Sequence, residues 1–362
     1  MAASRRSASW VAVIRLLGLA AAAAILWIAF REVNVRRVRE MIAGLGWPAL
    51  LIPLPMLVTF CCETLGWRGS FRVIGRRVPF WPLLRVRITT DALTHSLPGG
   101  VLFCESAALL LLKRHCKVPL DEGAAGLAAR KFLLLASQAL YVGLIFAFGY
   151  SYLRSSSERV LGSDGLPWVA LAISLILATA AFAFSSVLRR GALASRIHNW
   201  LLRLPTARLR GFLQKQRDKF EQTDDHMARW FGAGPRRLTA PAPWFLAGWI
   251  AESFETWLIL HLLGVELPFV AVASFEVVLA FLRHVLVILP AGLGVQDAGY
   301  AAFLAALGVP EALSAGAAFV LLKRSKEVLW AALGYALLLT DRIRTPDDRT
   351  IGVERELSAE SA

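Results

Sequence analysis

The sequence predicts an all-α polytopic membrane protein of about 7–9 transmembrane segments, two of them interrupted or re-entrant, in two related halves. Three observations lead there. The 362 residues are 57% hydrophobic and 18% charged, with a mean hydropathy of +0.56, too apolar for a soluble domain of that length. Apolar runs long enough to cross a bilayer, about 20 residues, recur along the chain. A Leu-Pro break followed by glycine and an acid occurs twice, with Pro98 and Pro290 standing 192 positions apart.

The first apolar run, 10–30, reads as a retained helix with a cytoplasmic N-terminus. It is long for a signal-peptide core, and the charged "REVNVRRVRE" follows without a small-residue cleavage site. Further spans are expected over 47–67, 124–150, 166–188, 243–264, 267–290 and 312–340. Two more stretches, 92–112 and 291–308, are shorter or interrupted by glycine and proline. Loop charge sets the orientation. Residues 68–87 carry Arg68, Arg72, Arg76, Arg77, Arg85 and Arg87 and no acid, and 189–240 carry twelve Lys/Arg against four acids. Both segments are expected in the cytoplasm. The parity works only if 92–112 enters and leaves on one side or pairs with another half-crossing, and "REVNVRRVRE" is basic on the outer side.

The net charge of +14 raises nucleic acid as a partner. The basic residues bunch between apolar runs, as cytoplasmic loops of membrane proteins do, so nucleic acid is not expected. Cys61, Cys62, Cys104 and Cys116 form no C-x-x-C pair and read as packing residues; no metal or cofactor is expected. Trp47, Trp67, Trp81, Trp168 and Trp244 fall near span ends, where indoles anchor at the interface.

The domain expected over 1–340 comprises halves of about 47–188 and 243–340, joined by the basic segment 189–240, with a polar tail over 341–362. In that segment Leu193, Ile197, Trp200, Leu201 and Leu204 recur at helical spacing, and Leu209, Phe212, Leu213 and Phe220 repeat the pattern after Pro205. Amphipathic helices on the anionic inner leaflet, or a solvated helical hairpin, both fit.

The two breaks align in detail. "LPGGVLFCESAALLLL" begins at Leu97 and "LPAGLGVQDAGYAAFL" at Leu289. Pro98, Gly99 and Gly100 form one break, and Pro290, Gly292 and Gly294 the other. Glu105 and Asp297 each follow seven residues after the proline, and Lys131 matches Lys323 at the same spacing. Backbone left unpaired by proline cannot face lipid, so such a break lies inside protein or lines a wet cavity. Matched breaks in two repeats point to a transporter's site near the bilayer midplane.

At these residues the sequence resembles the flippase-like membrane region of the lysylphosphatidylglycerol synthase family. The resemblance covers roughly 40–340 and rests on "LPAGLGVQDAGYAAFLAALGVP" with "LLKRSKEVLWAALGYALL", and on "SLPGGVLFCESAALLLL". It implies movement or handling of lipids or lipid-linked molecules in a bacterial-type cytoplasmic membrane, alongside envelope-lipid biosynthesis proteins. By position, Glu105 and Asp297 match the family's acids after the breaks, and Arg324 its late basic residue. Cys104 and Ala108 replace a common glycine and arginine, and Asp297 is a methylene shorter than the usual glutamate. No aminoacyl-transferase domain follows, so lysine transfer is not expected.

Ionisable residues inside a membrane cost about 2.5–3.5 kcal/mol each to insert and face a partner or a cavity. The expected substrate-binding set is Glu105, Lys131, Glu276, Arg283, Asp297, Lys323 and Arg324. In the functional reading the bases attract a phosphate, and the acids hold those bases or relay protons. In the structural one they are internal salt bridges, such as Glu276–Arg283 within one helix. Glu252 and Glu255 share a helix face, Glu63 reads as structural near an interface, and His95 as a hydrogen-bonding residue. No ATP-binding loop, metal motif or nucleophile elbow is present, so an enzyme is not expected. A lipid-modifying enzyme with paired carboxylates and a non-catalytic scaffold are the alternatives.

Overall fold

Proline and glycine mark where the helices begin and end. The computed structural model describes residues 31, 33–96, 100–190, 193–202, 217–285 and 295–343. The expected first span 10–30, the polar tail, residues 203–216 and most of both breaks lie outside them. Among the described residues the secondary structure is helical throughout. Asn34 caps α1 (Val35–Ala43) by accepting from the Arg37 amide. A short 3-10 turn (Trp47–Leu51) with proline at its start leads into α2 (Leu54–Val73). There follow α3 (Phe80–Ser96), α4 (Gly100–Cys116), α5 (Leu120–Leu161) and α6 (Gly165–Arg189). Gly162, at φ 66°, closes α5 in the left-handed conformation that glycine adopts without penalty. The basic segment supplies α7 (Leu193–Leu201), α8 (Arg217–Gly232) and α9 (Pro235–Thr239). The chain then runs through α10 (Ala242–Leu262), α11 (Phe269–Val285), α12 (Val295–Ala306) and α13 (Ala312–Ile343).

Trp47–Val73, Leu120–Arg159 and Gly165–Arg189 are long and apolar enough to cross a membrane. Along these spans Phe148, Leu175, Ile176 and Phe182 are exposed, a surface that lipid solvates and water does not. At 12 residues, α12 is about 18 Å long, well short of the roughly 30 Å hydrocarbon core.

The helices α2–α5 and α10–α13 of the two ends correspond in order. α5 begins at Leu120 and α13 at Ala312, the spacing that separates the two breaks, and α3 and α11 are each 17 residues long. α2 packs antiparallel to α10: Gly66 meets the Phe245 ring, Gly69 meets Pro241, and the Thr59 hydroxyl donates to the Gly248 carbonyl. The other helices exchange partners. Arg85 on α3 donates to the Leu337 carbonyl (2.7 Å) and Thr340 hydroxyl (2.8 Å) on α13. Reciprocally, α11 lies on α5, where Gly149 admits the Ser274 side chain and Ala273 and Val277 join Tyr141, Val142 and Ile145. Each end keeps its own apolar core, one around Trp67, Phe71 and Trp230, the other around Phe275, Tyr300 and Phe319.

The structure departs from the sequence reading at two places. Residues 80–96 form α3 rather than the second part of an arginine-rich loop, because Arg85 and Arg87 find partners on neighbouring helices. Trp67 is no interfacial anchor: it is 1% exposed and donates to the Gly126 carbonyl, whereas Trp47, Trp81, Trp168 and Trp244 are exposed. In the basic segment, Met227, Trp230 and Phe231 of α8 are buried in the first core and Asp224 accepts from the amides of Ala194 and Ser195 at the start of α7, while Ile197 and Trp200 of α7 remain exposed.

The α3–α13 approach predicts a selective packing defect. A Cβ at Gly334 would stand 2.4 Å from the Ala92 Cβ and 3.0 Å from the Ile88 carbonyl oxygen, neither of which can swing aside. Gly334→Ala is expected to cost about 1–3 kcal/mol in thermal unfolding of the detergent-solubilised protein. Gly232→Ala, where a Cβ meets nothing within 4 Å, is expected to unfold no earlier than wild type.

Candidate functional site

A charge buried in an apolar medium needs its counter-ion within bonding distance, so the ionic contacts show which helices build the site. On α13, Lys323, Arg324, Lys326 and Glu327 fall within five residues. Lys323 Nζ donates to Glu276 Oε1 on α11 (2.9 Å), to the Tyr300 hydroxyl on α12 (2.9 Å) and to Thr256 Oγ1 on α10 (3.1 Å). Tyr300 donates to the same carboxylate oxygen at 2.8 Å, and Thr256 also hydrogen-bonds it. Four helices thus meet at one glutamate. One turn away, Lys326 Nζ contacts both oxygens of Glu255 on α10, at 2.7 and 2.9 Å.

Arg324 is placed differently. Its Nη2 donates to Asp297 Oδ1 at 2.8 Å and its Nη1 to Glu327 Oε2 at 2.7 Å. Asp297 lies in the first turn of α12, where the helix dipole favours a carboxylate. The side chains of Lys326 and Glu255 are only 4% and 2% exposed, but that of Arg324 is 24% and that of Glu327 33%. Among the described bases of this helix, Arg324 is therefore the one that an incoming anion reaches most readily.

The first end of the chain repeats the scheme with other residues. Glu63 on α2 accepts from Arg87 Nε (2.7 Å) on α3 and Arg130 Nη2 (2.8 Å) on α5, and Arg87 Nη1 also donates to Asp91 (2.8 Å). Arg87 lies over the Phe60 ring and Arg130 over Trp67, each about 5 Å from the centroid. Glu105 on α4 pairs with Lys131 on α5, and both side chains remain partly exposed. Glu63 and Glu255 are 192 positions apart, as are Glu105 and Asp297. At each end, then, an acid on the first helix and an acid on the third bind bases on the fourth.

Six of the seven expected site residues are described, and all six fall in these contacts: Glu105 with Lys131, Glu276 with Lys323, and Asp297 with Arg324. The Arg283 side chain lies outside the described residues, as do the His95 side chain and Pro98, Gly99, Pro290, Gly292 and Gly294; Gly100 opens α4. Glu276 pairs with Lys323, and Glu63, expected near an interface, is 9% exposed and binds two arginines. Sequence reasoning missed Arg87, Asp91, Thr256, Tyr300 and the Glu255–Lys326 pair. A faint signal existed: Glu63-Thr64 recurs as Glu255-Thr256 at the spacing of the breaks. Among the described residues no group of three or more metal-ligating side chains is present.

The fully buried pair gives a sharp stability test. Lys326→Met leaves the Glu255 carboxylate buried without its base and is expected to cost about 3–5 kcal/mol, seen as a large drop in detergent unfolding temperature. Lys326→Met with Glu255→Leu removes both charges and is expected to recover most of that loss. Equal loss in the single and double variants would show that the pair contributes through packing alone.

Comparison with known proteins places this architecture. Over residues 15–322 the chain matches the family described as the Lysylphosphatidylglycerol synthase TM region. No curated protein matches it significantly. With most of its length inside that match, and three helices long and apolar enough to cross a bilayer, the chain is a membrane protein that belongs to this lipid-related family.

Proposed function

We propose that the protein translocates a lipid or lipid-linked intermediate between the leaflets of a bacterial-type cytoplasmic membrane, with the headgroup passing Arg324 and Lys131. The observation that carries this reading is the pairing of a partly exposed Arg324 with Asp297 in the first turn of the short helix α12. A guanidinium already held by carboxylates is a poor trap for a free ion but a good site for exchange. A headgroup phosphate matches its planar fork as well as a carboxylate does, so the guanidinium stays paired as the headgroup takes the place of a carboxylate. Lys131, released from Glu105, does the same at the other end of the chain.

The arrangement of the helices supports alternation between two faces. α2 and α10 occupy corresponding positions and run antiparallel, so the two ends read as inverted repeats, with α4 and α12 as re-entrant elements near the midplane. Rocking one repeat against the other would expose Arg324 and Lys131 in turn. The enclosed contacts of Lys323 and Lys326 hold the second repeat together during that motion.

Purified protein reconstituted in liposomes tests the reading through the leaflet distribution of labelled lipids. Wild type is expected to accelerate exchange of at least one phospholipid or lipid-linked sugar. Asp297→Asn and Arg324→Gln are each expected to slow it at least about tenfold, the effect of about 1.4 kcal/mol on a barrier. Wild-type rates in both variants would favour a scaffold. A new lipid product without leaflet exchange would favour a membrane-embedded enzyme, the reading that the word synthase in the family description suggests.

A further inference from the structure

A second basic feature lies away from the buried ion pairs, where α2 ends and α10 begins. A groove of about 460 Å³ is lined by Arg68, Arg72 and Arg237, with Leu65, Pro241 and Trp244 among its other walls, and no acid among the described residues lines it. Arg68 donates its Nε–H to the Val78 carbonyl at 3.0 Å, which fixes its guanidinium beside the groove. Arg72 and Arg237 are exposed and have no acidic partner among the described residues. This sets them apart from Arg87, Arg130 and Arg324, each held by a carboxylate.

We propose that this groove is a binding site for the phosphodiester headgroup of an anionic membrane lipid, separate from the translocation site. Three features select that ligand. Three arginines with no acidic partner among the described residues line one concavity, and their forked donors suit phosphate oxygens. The groove sits at the end of a membrane span, Trp47–Val73, where headgroups lie. Leu65 and the half-exposed Trp244 give it an apolar flank against which glycerol and the upper acyl chain pack. The N-terminus of the 21-residue helix α10 adds its positive dipole end. Basic pockets between helices at a membrane surface recognise lipid headgroups in this way. An occupant here would bridge α2 and α10, the two helices on which the ends of the molecule meet.

Native mass spectrometry of the full chain, titrated with phosphatidylglycerol in mixed micelles with phosphatidylcholine, tests the assignment. Wild type is expected to bind phosphatidylglycerol in preference to phosphatidylcholine. Arg72→Gln with Arg237→Gln is expected to weaken that binding about thirtyfold, from about 1 kcal/mol for each arginine. Arg72→Lys with Arg237→Lys, which keeps the charge, is expected to retain most of it. Arg36→Gln with Arg154→Gln removes the same charge from exposed sites elsewhere and is expected to bind as wild type. Both exposed pairs can change without breaking the core, so unfolding temperatures should match. Unchanged binding in the Arg72/Arg237 glutamine variant would overturn the proposal. Displacement of the lipid from wild type by inorganic phosphate would assign the groove to a soluble anion and overturn it as well.

Discussion

A charge that leaves water for hydrocarbon must take its counter-ion with it, and in this protein that requirement decides which helices are neighbours. Apolar side chains cannot do so alone, because lipid tails solvate leucine as well as another helix does. The carboxylates of Glu63, Glu105, Glu255, Glu276 and Asp297 each meet a base on α5 or α13. Those two long helices act as basic stems onto which shorter helices are tied. Close approaches at Gly66, Gly126, Gly149 and Gly334 then bring backbones near enough for the ties to form.

The ionic contacts differ in how far water and headgroups can reach them. Glu255–Lys326 and Glu276–Lys323 are enclosed, and their partners come from rigid mid-helix positions. Asp297–Arg324 and Glu105–Lys131 are partly exposed, and their acids ride on the short helices that follow the two breaks. One chemistry therefore serves two purposes. The closed pairs resist rearrangement, and the open ones can trade a carboxylate for a phosphate.

Much of this was legible in the sequence. Apolar run length located α5, α6 and α10, and the repeated Leu-Pro break located the two short helices with their acids. What stayed hidden depended on long-range pairing. Arg85 and Arg87 count with the basic loop 68–87 until Glu63 and Asp91 neutralise Arg87, and the Glu63 contact links α2 to α3 across 24 positions. Glu276 and Arg283 share a helix face, which points to a pair within one helix, and the Arg283 side chain lies outside the described residues. Lys323, 47 positions away, reaches the carboxylate because α13 returns beside α11. The burial of Met227, Trp230 and Phe231 of α8 was also hidden, because it depends on the distant core around Trp67 and Phe132.

The central claim is that Asp297 and Arg324 act on each other across the α12–α13 contact and that this contact opens during transport. A double-mutant cycle of Asp297→Asn and Arg324→Gln, measured on both unfolding temperature and lipid exchange in liposomes, addresses it most directly. The account predicts a coupling energy of about 1 kcal/mol or more in stability, with the double variant no slower in exchange than the worse single variant. Independent, additive effects on both measurements would contradict it.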